Sequence, residues 1–291
     1  MRAAAIFGLG SSMRDLEPFR KVPGAEWSIG LPENAADADA ILVFGGDGTV
    51  HRHLRALVKL GRPVLVVPAG SGNDFARALG LRRVKDSLEA WRKFASGGGN
   101  MRAVDLGVIS PMGDGGSLPP GPHYFSCAAG VGIDGEIARR ANAVPRWLRA
   151  HGGYALSLAP ALLAFRPFVL KLSLDEAGTF IPRAEHPTLA AVFANTPFYG
   201  GGMRIAPKAR MDDGLLDVCL IHDISKIKVA GVFATVYFGR HIGIREVEYF
   251  PSARVRVETD RPLDVYADGE YVCRTPVEVD VATQIFEVVV P

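Results

Sequence analysis

The chain has 291 residues, 48% of them apolar and 22% charged, with a formal net charge of +2. That length supplies more than one hydrophobic core, and the near balance of charge excludes the polyelectrolyte surface of a general nucleic-acid binder. No apolar run reaches the roughly 18 residues of a membrane-spanning helix, so the expectation is a cytoplasmic protein whose membrane contact, if any, is peripheral at the inner face.

In chain order, AAAIF is a buried strand followed by an amphipathic run over 12–22; AILVF is followed by one over 49–60, and PVLVVP by one over 73–96. Apolar strands alternating with amphipathic helices predict a parallel α/β sheet. The punctuation SGGGN at 96–100 ends this series, which puts the first domain at 1–99 and the second at 100–291. From there the pattern turns β-rich, with MRAVDLGVI, HYFSCAA, FVLKLSL, TLAAVFAN, LLDVCLI, VRVETD, LDVYADG and IFEVVV. Such a series predicts an antiparallel sandwich or barrel. A helical insertion over roughly 134–165 interrupts it. The cysteines Cys127, Cys219 and Cys273 are odd in number and far apart, so they read as reduced core thiols rather than a disulfide framework or a metal site.

Two loops in the first domain follow strands and precede helices. One is Gly45, Gly46, Asp47, Gly48, Thr49; the other is Ala69, Gly70, Ser71, Gly72, Asn73, Asp74. Each sets backbone N–H groups at the carboxyl edge of a sheet, beside a helix N-terminus where partial positive charge gathers, and glycine lets an anion approach the main chain. Side by side they predict a polyphosphate cradle. Asp47 and Asp74 would repel phosphate unless a divalent cation or a proton lies between. Asp74 also reads as the N-cap of a helix over 75–79. In the second domain, Asp268-Gly269-Glu270 reads equally as a type I′ hairpin turn, and Asp212-Asp213-Gly214 as a plain loop.

The block GGDGT, then VVPAGSGNDFARALGL, then FYGGGMRIAPKARMDDGLLDVCLI and VYADGEYV, closely resembles the diacylglycerol, ceramide and sphingosine kinases, above all the bacterial soluble lipid kinases. The resemblance implies a Rossmann-like ATP domain, a β-sandwich lipid domain and a cleft between them, with ATP and Mg²⁺ as cofactors and a lipid at a membrane surface as substrate. It implies Glu270 as catalytic base and a catalytic role for Asp47. Nucleotide contacts are implied for Ser71 and for the backbone from Gly46 through Val50 and His51 to Arg52, with Gly45, Gly70 and Asn73 completing the two loops. Asp213, with main-chain oxygens of Arg210 and Leu215, matches a largely structural Mg²⁺ site. Asp74 and Asp105 match acidic positions that would order a nucleotide-bound Mg²⁺.

The chain departs from the family pattern at three places. Gly8-Leu9-Gly10-Ser11-Ser12 stands where Asn-Pro and a glycine loop are common, which leaves Gly10 and Ser11 a weak phosphate or ribose contact. The stretch PENAADAD replaces a helix between the second and third strands. His51 and Arg52 stand where Asn-Glu is frequent, and His51 reads as a solvated first-turn residue. Between Glu136 and Asp175 no acidic residue occurs, while Arg139, Arg140, Arg146, Arg149, Arg166 and Lys171 surround Trp147 and an apolar run broken by Pro160. The stretch 137–174 is therefore expected to touch an anionic leaflet, with a solvated basic helix face as the alternative. Rival functions are a kinase of a soluble substrate such as NAD, and a non-catalytic lipid- or nucleotide-binding protein. Oligomeric state is not encoded in any of these features.

Overall fold

The computed structural model describes residues 1–113, 121–133, 135 and 165–291. The expected helical insertion and its basic, Trp-bearing stretch lie outside the described residues up to 164. Among the described residues no helix is long and apolar enough to cross a membrane.

Strands β1 (Arg2–Phe7), β2 (Glu26–Ile29), β3 (Ala40–Gly45) and β4 (Val64–Pro68) pair in parallel in the order β2-β1-β3-β4. The first, third and fourth are almost wholly buried, as parallel strands covered on both faces must be. Helices α1 (Met13–Arg20), α2 (Asp47–Leu60), α3 (Asp74–Ala78) and α4 (Val84–Ala95) cover them. Helix α2 buries Val50, Leu54 and Leu57, the spacing of one helical face. It stops at Gly61, whose left-handed φ of 56° lets its N–H reach the carbonyls of Leu57 and Val58. The amphipathic run expected over 73–96 is two helices, because Gly80, at φ 84°, turns the chain between α3 and α4. The stub between β2 and β3 is a single 3-10 turn, Ala35–Asp37, as its length requires.

The second half is antiparallel. It contains β5 (Met101–Pro111), β6 (His123–Phe125), β7 (Ala128–Gly132), β8 (Phe168–Glu176), β9 (Thr179–Ala194), β10 (Leu216–His222), β11 (Val247–Ser252), β12 (Arg254–Thr259), β13 (Asp264–Ala267), β14 (Glu270–Arg274) and β15 (Val277–Val289). Helix α5 (Lys226–Val236) lies among them in sequence. One core fills the interior, with Phe168, Phe193, Val218, Val257 and Val279. Another lies under α5 and the 199–209 segment. All three cysteines are free and buried.

Two long strands join the halves. The first part of β15, Val277–Ala282, pairs with β5 from Leu106 to Pro111 in the antiparallel unit; after an irregularity, Phe286–Val289 pairs with Met101–Val104. Val288 then adds in parallel to Val64 of β4. The first core therefore includes Val104, Leu106, Phe286, Val288 and Val289 from beyond residue 99.

Candidate functional site

The two glycine loops pack main chain against main chain. Asp47 N–H donates to Gly72 O at 3.0 Å, and a β-carbon at Gly46 would overlap Gly72 O, as one at Gly70 would overlap the Gly46 backbone. Only residues without a side chain permit this approach. Thr49 packs its side chain onto Gly8 and Gly45, where a β-carbon would strike it. Ser11 Oγ lies 2.8 Å from Gly8 O and 2.7 Å from Phe44 O, so this hydroxyl closes the β1–α1 loop on β3. Gly10 is exposed at φ 98°.

Asp47 is half-buried as a residue, with its carboxylate turned inward. Oδ2 accepts from Asp74 N at 2.9 Å and Oδ1 from Phe75 N at 3.0 Å. It thus caps α3 from the neighbouring loop and locks the two loops in register. Burial, then the charge of Asp74, pushes this carboxyl up to about 7, against the two amides that hold it down. Asp74 is not the N-cap; Asn73 takes that position. Asn73 instead closes its own loop, accepting from Gly70 N at 3.0 Å and donating to Gly70 O at 2.8 Å. The Asp74 carboxylate pairs with Arg77 and accepts from Gly201 N at 2.7 Å, which ties the second glycine loop to the 198–203 segment of the other unit. Burial raises Asp74 too, and the Gly201 amide and Arg77 only partly offset it. Two buried carboxyls that resist ionisation together are the arrangement a divalent cation or a shared proton satisfies.

Of the remaining residues expected on this side, Ser71 and Arg52 are exposed, and Val50 is buried in the first core so that only its backbone is available. Gly48 lies in the first turn of α2, and a β-carbon there would come within 3.1 Å of Glu270 Oε1. This brings the carboxylate from β14 to the helix that begins in the first glycine loop.

Glu270 follows a two-residue hairpin turn between β13 and β14, in which Ala267 pairs with Glu270 and both Asp268 (φ 50°) and Gly269 (φ 85°) have positive φ. That is the type I′ geometry, so the hairpin reading and the site reading describe the same residues. Asp268 has no exposed side-chain surface. Its Oδ1 accepts from Cys127 N at 2.8 Å and Ala128 N at 3.3 Å; its Oδ2 accepts from Ser126 N at 2.8 Å and Ser126 Oγ at 3.1 Å. This nest of donors fixes the turn to the start of β7. Glu270 is left exposed.

His51 is not the solvated residue expected from sequence. Its side chain is 17% exposed, and Nδ1 is 3.3 Å from Asp268 Oδ2. Asp268 and Ser126 are site residues to which the sequence assigns no role; the signal is the Asp of YADGE, which stands in the family-like motif and in the hairpin turn but points to no partner of its own.

Asp105 does not join the glycine loops. It is wholly buried, and Oδ1 accepts from Gln284 N at 2.7 Å while Oδ2 accepts from Gly214 N at 2.8 Å. Its carboxylate staples the β15 irregularity and the 210–215 loop at the junction of the two units. In that loop Asp213 is exposed and Oδ1 accepts from Leu215 N at 3.1 Å, while Arg210 pairs with Asp212 at 3.1 Å. Among the described residues no group of three or more His, Cys, Asp or Glu side chains gathers as a metal cluster. A cation at Asp213 would take one carboxylate and main-chain oxygens, a hard-donor set that suits Mg²⁺ or Ca²⁺.

Residues 28–109 match the diacylglycerol kinase catalytic domain, and residues 127–290 match the YegS C-terminal NAD kinase beta sandwich-like domain. A diacylglycerol kinase of Mycobacterium tuberculosis is 34% identical over 88% of this chain and 78% of its own length. A solved structure from Bacillus anthracis str. Sterne covers 100% of this chain and 97% of its own at 20% identity, with a TM-score of 0.76. An NAD kinase from Archaeoglobus fulgidus, solved in complex with ATP, covers 100% of this chain and 93% of its own at 16% identity, with a TM-score of 0.54. At those identities the two structures speak to fold alone.

Proposed function

This chain belongs to the family of bacterial diacylglycerol kinases and YegS-type lipid kinases, and from that premise we propose that it transfers the γ-phosphate of MgATP to a hydroxyl of diacylglycerol or a related lipid. The observation that carries this reading is the approach of Glu270 Oε1 to Gly48, which sets one exposed carboxylate against the helix that starts in the first glycine loop.

Each part of the arrangement suits phosphoryl transfer, which depends on alignment and charge neutralisation more than on covalent chemistry. Those loop amides not already committed to bonds within and between the two loops bind the phosphates, and the α2 N-terminus favours their charge. Asp47 holds the loops in register from below. Glu270 accepts the proton of the lipid hydroxyl and orients its oxygen toward the phosphorus. A bound Mg²⁺ supplies neutralisation of the phosphate charge; Asp47 and Asp74, buried and mutually repelling, are the carboxyls that fit it. The loop of Asp213, held to Asp105 through Gly214 N, fits a second, structural cation. The acid-free stretch 137–174 is the segment we assign to membrane contact, on charge alone.

Incubation with γ-labelled ATP and a total lipid extract, followed by thin-layer separation, should give a labelled lipid. Label appearing in NAD instead would move the chain to the soluble-substrate kinases. ATP binding with no labelled lipid would overturn the reading.

A further inference from the structure

His51 lies one turn beyond Gly48 on α2, and through Nδ1 it reaches a carboxylate on the other unit of the molecule, Asp268, at 3.3 Å. An ionised carboxylate only accepts, so Nδ1 carries the proton of this bond. Burial draws the imidazole down, but the Asp268 hydrogen bond and charge, together with the charge of Glu270, raise it overall. Among the described residues His123 of β6 also feels His51: its imidazole is held down by burial, then by the charges of Arg55 and His51. The backbone bonds to Ser126, Cys127 and Ala128 fix the hairpin tip within its own unit. They do nothing to hold it against α2.

We propose that His51 is a positioning residue for phosphoryl transfer: by donating to Asp268 it pins the hairpin that carries Glu270 to the first turns of α2. The inference rests on the lipid kinase reading for its catalytic consequence, and on the hydrogen bond alone for the pinning. A base must lie within hydrogen-bond reach of the hydroxyl it activates, and a displacement of about 1 Å costs on the order of 10²-fold. Asp268 is therefore the joint through which one side chain of the nucleotide unit sets the distance of the base.

The test uses the full chain. His51→Leu should lower kcat by about 10- to 100-fold with the KM for ATP within about twofold of wild type, because the glycine loops are unaltered. His51→Asn, which places a side-chain N–H where Nδ1 stands, should restore kcat to within about threefold of wild type. If His51 acts through Glu270, adding His51→Leu to Glu270→Gln should cause no further loss. Independently of activity, amide exchange across the 266–271 hairpin should accelerate in His51→Leu and stay like wild type in His51→Asn. The proposal is overturned by a His51→Leu kcat within about twofold of wild type, by losses that multiply in the double variant, or by unchanged hairpin exchange. Should wild-type protein label no lipid at all, the kinase reading falls, and the exchange experiment still decides whether His51 pins the turn.

Discussion

The glycine loops of the parallel unit and the Asp268–Glu270 hairpin of the antiparallel unit use acidic residues in opposite ways. In the loops Asp47 is turned inward to cap the neighbouring helix and to tie the two loops together. In the hairpin the backbone is committed to a type I′ turn, Asp268 is buried to hold it, and Glu270 is left outside. The lesson is that an acidic residue inside a motif is not by itself a catalytic one. Four of the motif aspartates and glutamates, Asp47, Asp74, Asp105 and Asp268, accept from main-chain amides across the structure. Glu270 is the carboxylate the geometry leaves free to turn toward a substrate.

The largest effect is expected at Asp268. Asp268→Ala removes the acceptor for three buried backbone amides and a serine hydroxyl. An unsatisfied buried donor costs about 1–3 kcal/mol, so the variant should lose on the order of 3 kcal/mol or more. Urea unfolding measures this; a loss under about 1 kcal/mol would mean that the hairpin is held by its strands rather than by this nest.

A smaller effect sharpens the other side. The Asp47 carboxyl sits at about 7 in the folded protein against 3.8 for the free group, so the folded state holds a proton that the unfolded state has released. Stability from this group is therefore lost as pH rises from about 4 to about 7. His51, raised above 6.5, adds a loss in the same direction as pH climbs through its folded value. In metal-free buffer the thermal midpoint of wild type should fall more steeply between pH 5 and pH 8 than that of Asp47→Asn. Parallel curves would show that Asp47 is ionised throughout, with its two amides outweighing its burial.

The parts of this account that could be read in the sequence are those made by neighbours in the chain. The strand-glycine-helix loops, the Asp-Gly turn and the shortened link between β2 and β3 each follow from a few adjacent residues, and all are present. What escaped reading depends on distant contacts. Asp268 meets residues 126–128, whose positions in FSCAAG carry no sign of an incoming carboxylate. Asp105 is held by Gln284 N, at a strand irregularity near the other end of the chain, and nothing beside it in the sequence marks that bond. A first-turn histidine on an exposed helix face has no local reason to be covered, so the sequence alone leaves His51 in solvent. The return of Phe286–Val289 to the first core is invisible for the same reason: IFEVVV reads as a strand of the second domain, and nothing in it says that it closes the first core.

The claim that a single exposed carboxylate, delivered by a hairpin, serves as the base is tested most directly by Glu270→Gln, with turnover and ATP affinity measured on the same preparation. The substitution keeps the size of the side chain and leaves the Asp268 nest untouched, so the fold should survive. General-base groups account for about 10²- to 10⁴-fold in rate, and the account predicts a fall in kcat within that range with ATP affinity unchanged. Retention of more than about a tenth of wild-type turnover would contradict it.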